Sequence, residues 1–348
     1  MRQVRLWVVG FGTVGQWLVR ALHAHAESLA DRYGFAPIVV GIANARDGFI
    51  YRSKGLDVPT VLGLASSGRS LAEHPGIRRL PSAVEGLGAT EADVLVEVTA
   101  SRPADGEPGF THMRDALCRR IPVVTSNKWP VALHGVKLVE LARSQAVAFR
   151  AESTVMSGTP VLSTLVEGLA GTTPTALRGV LNATANFILS GMTRGKSYEE
   201  ALAEAQAIGL AERDPAADVD GHDAKAKTMI LAGLVFGRQL RSEEVVRSGI
   251  TGMTRAEMDD AARAGTRIKL VSTLESSREG GNGELKARVE PVHLRSDDPL
   301  ASVDGVTNAV VCRAAPVGEV TVIGPGAGPA LAGQGVLSDL IAVAGKND

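Results

Sequence analysis

The sequence predicts an α/β fold: a parallel-sheet domain joined to an α+β domain that carries a mixed sheet. Three observations predict it. The apolar segment at 3–9 runs directly into a glycine-spaced loop and then a helical pattern. Up to residue 150, short apolar segments alternate with helical ones, the pattern of βαβ units and a parallel sheet. Beyond residue 150 the texture changes: 178–183 alternates polar and apolar, and the turn Glu279-Gly-Gly-Asn-Gly283 separates two further strand segments, which is hairpin chemistry.

The elements follow in order. Residues 3–9 (Gln-Val-Arg-Leu-Trp-Val-Val) read as a buried strand, and 16–30 as a helix. Strands are expected over 38–43, 94–98 and 122–125, with helices over 109–119 and 136–145. These strands show little alternation, as suits a sheet covered on both faces. In the second part, helices are expected over 159–168, 199–209, 223–236 and 255–265, and strands over 178–183, 265–274 and 286–294. Gly324-Pro-Gly-Ala-Gly328 opens a last helix over 331–344.

Composition bounds the function. A chain of 348 residues, 45% hydrophobic and 22% charged, buries a full core, and its length suggests two domains. A net charge of −1 leaves no bulk electrostatic footprint for nucleic acid or an anionic membrane. No apolar run approaches the ~18 residues of a membrane span. Arg2 and Arg5 before an apolar stretch imitate a signal peptide, but glycines interrupt that stretch. The two cysteines, Cys118 and Cys312, form no CxxC pattern, which points to a reducing, cytoplasmic setting.

The interrupting glycines carry chemistry. Gly10-x-Gly12-x-x-Gly15 sits between a strand and a helix, as a Rossmann-type dinucleotide fingerprint requires. The first glycine makes the tight turn, the second admits the pyrophosphate, and the third lets helix and strand pack. Thr13 and Val14 open the helix whose N-terminus faces the phosphates. An acidic residue that binds the ribose is expected at the end of the second strand, yet that strand ends at Ala43-Asn44. Asn44 can bond a ribose hydroxyl, and Arg46, with Lys54, can hold a 2′-phosphate. This tilts the expected cofactor toward NADP, with NAD as the other choice.

Residues 211–227 crowd Glu212, Asp214, Asp218, Asp220 and Asp223 ahead of Lys225 and Lys227. A calcium loop fails on spacing: with Gly221 at the sixth position, Lys227 stands where a bidentate glutamate belongs. Asp223 and Lys227 are four apart and share a helix face, which also permits a simple surface ion pair. Lysine is scarce, nine in the whole chain, so a lysine heading an apolar helix beside carboxylates suggests a site for a cationic group. Lys128 is the second candidate, at the carboxyl end of a parallel strand, where open α/β sheets bind ligands.

Together these segments resemble homoserine dehydrogenase. The resemblance is carried by Gly-Phe-Gly-Thr-Val-Gly (10–15), Val-Glu-Val-Thr-Ala-Ser (96–101), Val-Val-Thr-Ser-Asn-Lys (123–128) and Glu-Ser-Thr-Val-Met-Ser-Gly-Thr-Pro (152–160). It continues through Gly-Val-Leu-Asn-Ala-Thr-Ala-Asn-Phe-Ile-Leu (179–189), Ala-Glu-Arg-Asp-Pro-Ala-Ala-Asp-Val-Asp-Gly-His-Asp (211–223) and Gly-Pro-Gly-Ala-Gly (324–328). It implies NAD(P)-dependent interconversion of L-aspartate 4-semialdehyde and L-homoserine in threonine and methionine biosynthesis. It also implies a short form without kinase or ACT domain. The domains it implies are a dinucleotide-binding one (1–150 plus 324–348) and a catalytic and dimerisation one (151–323), the latter building a homodimer.

Carried over by motif, Lys128 and Lys227 match catalytic lysines, while Thr184, Glu212, Asp218 and Asp223 match substrate-binding positions. Thr99, Ala100 and Ser101, with Gly328, fall at cofactor positions. Glu152, Val155, Ser157 and Thr159 match a loop that holds a monovalent cation, Na or K, mostly through backbone carbonyls. The sequence departs from the family pattern at Ala183, Ala217 and Ser157.

The chemistry fits. Hydride transfer to an aldehyde develops an alkoxide, which a buried lysine can polarise and protonate, and the substrate ammonium calls for carboxylates. Two other readings remain open at this point. A different amino-acid aldehyde or keto-acid dehydrogenase would share the glycine loop without needing the 211–227 acids. A dinucleotide-sensing regulator would carry a basic recognition helix, and the sequence has none.

Overall fold

In the computed structural model, residues 2–277 and 284–345 are described. The chain divides into two compact units, Met1–Gly158 with Gly328–Asp348, and Thr159–Ala327. The sequence places these crossings after 150 and after 323. Residues 151–158 belong with the first unit because they bond the C-terminal helix (Pro329–Ala344): the Glu152 N–H donates to Asp339 Oδ2 at 2.8 Å, and Ser153 Oγ donates to the Ala332 carbonyl at 2.7 Å.

The first unit is built on a seven-stranded sheet of β1 (Arg2–Val9), β2 (Phe35–Asn44), β3 (Gly48–Tyr51), β4 (Arg78–Leu80), β5 (Val94–Glu97), β6 (Val123–Thr125) and β7 (Phe149–Arg150), in the order β4-β3-β2-β1-β5-β6-β7. Pairing is parallel from β2 to β7. The edge strands β3 and β4 are antiparallel, and the sequence reading lacked both. Both are short, and the arginines of β4 hide its strand pattern.

The run of apolar residues in β1 serves two cores. Leu6 and Val8 face one, shared with Leu18 and Leu22 of the glycine-loop helix (Thr13–Ala24) and with Val336 and Leu340 of the C-terminal helix. Trp7 and Val9 face the other, shared with Met113 and Leu117 of the Gly109–Cys118 helix and Leu138 of the Lys128–Ser144 helix. That two-sided burial is why the strand shows no alternation. The helix expected over 16–30 is two helices, Thr13–Ala24 and Ala26–Tyr33, broken at His25 (φ −107°, ψ 15°).

The second unit carries a six-stranded mixed sheet: β8 (Thr173–Val180), β9 (Val245–Arg247), β10 (Thr266–Ser276), β11 (Leu285–Arg295), β12 (Thr307–Ala315) and β13 (Gly318–Pro325), in the order β13-β12-β8-β10-β11-β9. Among the described residues, the β11–β9 pair is the only parallel one in this sheet. The expected turn Glu279–Gly283 lies outside the described residues. The strand expected over 178–183 ends earlier, at Val180, because Asn182 caps a helix: its Oδ1 accepts the Ala185 N–H at 2.8 Å, and Ala183–Thr193 is helical. The helix expected over 159–168 starts at Val161 and finishes as a π-turn over Thr164–Gly168. Among the described residues, no helix is long and apolar enough to cross a membrane.

Candidate active site

The glycine loop connects β1 to the Thr13–Ala24 helix. Gly10 has φ +104°, and a Cβ there would lie 2.5 Å from the Val98 carbonyl carbon, so only glycine fits. A Cβ on Gly15 would lie 2.2 Å from the Gly10 oxygen. A Cβ on Gly12 would meet nothing within 4 Å, so this glycine keeps open the space above the helix start. No side chain caps that helix, which leaves its first N–H groups, from Thr13 and Val14 onward, for an anion.

Beside the loop is a cavity of about 570 Å³ lined by Gly10, Gly12, Asn44, Thr99, Ala100 and His112, among others. It spans the tips of β2, β1 and β5, where the strand order reverses, the position at which open parallel sheets take dinucleotides.

At the β2 tip, Asn44 lines the cavity and is locked to Asp47: its Nδ2 donates to Asp47 Oδ2 at 2.8 Å, and its Oδ1 accepts the Asp47 N–H at 2.6 Å. Asp47 is buried. Burial alone would raise its carboxyl, but hydrogen bonds from Ser70, Asn44 and the Leu71 N–H outweigh that and hold it below the usual carboxylate range. Arg46 is exposed and donates to the Gly68 carbonyl at 2.6 Å; it does not line this cavity. Lys54 lines a different cavity, with His23 and Arg52.

At the β5 and β6 tips, Glu97 is fully buried. It accepts from the Thr99 hydroxyl and, at 2.9 Å, from Asn127 Nδ2, while His112 Nδ1 lies 3.4 Å away. Asn127 also donates to Ser101 Oγ at 2.7 Å. Asn127 immediately precedes Lys128, the first residue of the Lys128–Ser144 helix, where Lys128 is half-buried. Gly328, with φ +132°, leads into the C-terminal helix, whose first position is Pro329. In the 152–158 loop, Glu152 and Val155 are buried, and Ser157 takes φ +52°.

The second unit holds the acid–lysine constellation. Lys227 Nζ lies 2.9 Å from Asp223 Oδ2, one turn back on the His222–Val235 helix, and donates to the Leu181 carbonyl at 2.6 Å. Asn182 Nδ2 donates to Asp218 Oδ1 at 2.6 Å and to Asp223 Oδ2 at 3.0 Å. The Lys227 and Asp223 side chains are 9% and 11% exposed, so this is not the solvated ion pair that spacing alone permits. Thr184 is buried on the same Asn182-capped helix, its hydroxyl 3.3 Å from the Leu210 carbonyl.

Glu212 is exposed and its carbonyl accepts from Gln206 Nε2 at 3.1 Å; among the described residues its side chain is not joined to Asp218 or Asp223. Asp214 caps Ala216, and Asp220 accepts from Thr251, so both are spent on loop structure. Thr159 is buried and donates to the Pro325 carbonyl at 2.9 Å.

This combination of a glycine-loop cavity and a lysine–carboxylate–asparagine cluster matches one family. The family model for homoserine dehydrogenase matches residues 160–341. A relative named NAD(+)-dependent homoserine dehydrogenase, from Pseudomonas canavaninivorans, is 38% identical over 98% of this chain and 96% of its own length. A homoserine dehydrogenase from Methanocaldococcus jannaschii is 34% identical over 96% of each.

The chain belongs to the homoserine dehydrogenase family.

Among solved structures, a hyperthermophilic archaeal homoserine dehydrogenase in complex with NADPH superposes with a TM-score of 0.82 at 32% identity, covering 98% of this chain and 97% of that one. Membership of the homoserine dehydrogenase family makes the chain an NAD(P)-dependent oxidoreductase acting on a CH–OH group. Four residues central to the geometry escaped the list of site residues drawn from the sequence. Glu97 carried a signal, a lone carboxylate in the apolar run Val-Leu-Val-Glu-Val, and Asn182 stood in a quoted motif. Asn127 likewise stood in the quoted segment 123–128, and His112 carried none.

Proposed function

We propose that the chain interconverts L-aspartate 4-semialdehyde and L-homoserine with a nicotinamide dinucleotide. The observation that carries this reading is the cluster of buried Lys227 and Asn182 with the half-buried Asp223 and Asp218. The substrate has an ammonium group and a carbonyl that becomes an alkoxide. Asp218 and Asp223 supply the anionic side for the ammonium. Lys227, held in a nearly dry site, polarises the carbonyl oxygen and delivers its proton. The bound dinucleotide supplies the hydride. Lys128 and Thr184 keep the catalytic and substrate roles that the family motifs give them, and the exposed Glu212 holds a substrate role on its motif alone.

On the cofactor, Arg46 favours NADP at the sequence level, but the local geometry favours NAD. Asn44 presents a neutral amide, backed by the fixed Asp47 carboxylate, and the nearby guanidinium is engaged by the Gly68 carbonyl. A 2′-phosphate at the β2 tip would meet this neutral amide rather than a cation. The homodimer, the cytoplasmic setting and a monovalent cation at Glu152, Val155, Ser157 and Thr159 are carried from the family. The oxygen donors of that loop, carbonyls and one buried carboxylate, suit a hard cation.

The test is cofactor oxidation with aspartate semialdehyde, run with NADH and NADPH in parallel. Turnover that requires the semialdehyde supports the reading. Turnover with other aldehydes but not this one overturns it.

A further inference from the structure

His112 lies on the Gly109–Cys118 helix and is not among the family motif residues, yet it lines the glycine-loop cavity together with Thr99 and Ala100. The residue is 5% exposed. Nδ1 faces the Glu97 carboxylate at 3.4 Å, and that carboxylate is itself fixed by Thr99 and Asn127. A carboxylate can only accept, so the ring places its proton on Nδ1. Nε2 is then a bare acceptor, and no hydrogen-bond partner takes it among the described residues. With Nδ1 turned to Glu97 and the residue in the cavity wall, Nε2 is the ring nitrogen left to accept from a donor that enters the cavity.

The donor is identified by which end of the cavity His112 occupies. The cavity runs from Asn44, Gly48 and Ser82, beyond the β2 tip, to Thr99, Ala100 and His112, beyond the β5 tip. In a sheet of this order the adenosine half of a dinucleotide lies over the first side and the nicotinamide half over the second.

We infer that His112 is a further cofactor-binding residue, whose Nε2 accepts a hydrogen bond from the nicotinamide half of the dinucleotide while Glu97 holds the ring in the required tautomer and orientation. The inference rests on the dinucleotide reading of the cavity, not on the identity of the substrate.

Two replacements separate the two ring nitrogens. His112→Asn keeps a polar group near Nδ1, able to meet Glu97, but removes the acceptor at Nε2. His112→Gln reaches the Nε2 position. NADH fluorescence titration of the full chain gives Kd without turnover, and thermal melting reports the fold. The expected result is a Kd raised about fivefold or more in His112→Asn, as the loss of one hydrogen bond gives. His112→Gln should stay within about twofold of wild type, with both melting temperatures unchanged. Wild-type affinity in His112→Asn overturns the inference, and so does an equal loss in both variants accompanied by lower melting temperatures. A wild-type chain that binds neither NADH nor NADPH overturns the cofactor reading itself, whereas dinucleotide binding without semialdehyde turnover removes only the proposed substrate.

Discussion

Asn182 joins two jobs in one side chain: its oxygen caps the Ala183–Thr193 helix at Ala185, and its amide nitrogen bridges Asp218 and Asp223. The bridge holds two carboxylates together, and Asp223 in turn holds Lys227. Like charges this close repel, and a shared donor offsets the repulsion.

Asn182→Ala therefore has two effects. Losing the cap costs about 1 kcal/mol of stability. Losing the bridge lets Asp218 and Asp223 separate, which raises KM for homoserine about tenfold, the scale of one charge-assisted hydrogen bond. Thermal melting and steady-state kinetics measure the two. An unchanged KM would mean that the bridge is structural only.

The glycine loop separates folding from binding. Gly10→Ala forces a Cβ into the Val98 backbone at a positive φ, so it should lower the melting temperature and abolish NADH binding together. Gly12→Ala meets open space, so it should keep the wild-type melting temperature while weakening NADH. A Gly12→Ala chain with full affinity would place the phosphates elsewhere.

Arg46→Ala tests the cofactor choice. With its guanidinium on the Gly68 carbonyl, Arg46 should leave the ratio of kcat/KM for NADH over NADPH within about threefold of wild type, and that ratio should favour NADH. A selective loss with NADPH of about tenfold or more would restore Arg46 as a phosphate ligand.

Asp47 carries a pH dependence. Its folded carboxyl titrates below the usual value of about 4, so its contribution to stability is complete above that pH and is lost as pH falls through the lower, folded value. Denaturant titrations of wild type and Asp47→Asn should show a stability gap near neutrality that closes on acidification. A gap that widens in acid would reverse the sign.

The two-layered burial of β1 and the mixed second sheet were legible because they follow from the apolar pattern. The spacing of Asp223 and Lys227 was legible too, but their burial was not, since an i,i+4 pair reads alike on a wet face and a dry one. Glu212 shows the opposite limit: it sits in the same acidic run as Asp218, yet the turn before the Ala216–Val219 helix leaves it in solvent. The Glu97–Asn127–His112 network joins three elements across the sheet tips, and no local pattern encodes such a meeting.

The most direct test compares kcat for homoserine oxidation in wild type and Lys227→Met, with NADH affinity and melting temperature measured alongside. If Lys227 handles the proton at the reacting oxygen, kcat falls by about a hundredfold or more while NADH still binds. A folded Lys227→Met chain that turns over within about threefold of wild type would contradict the account.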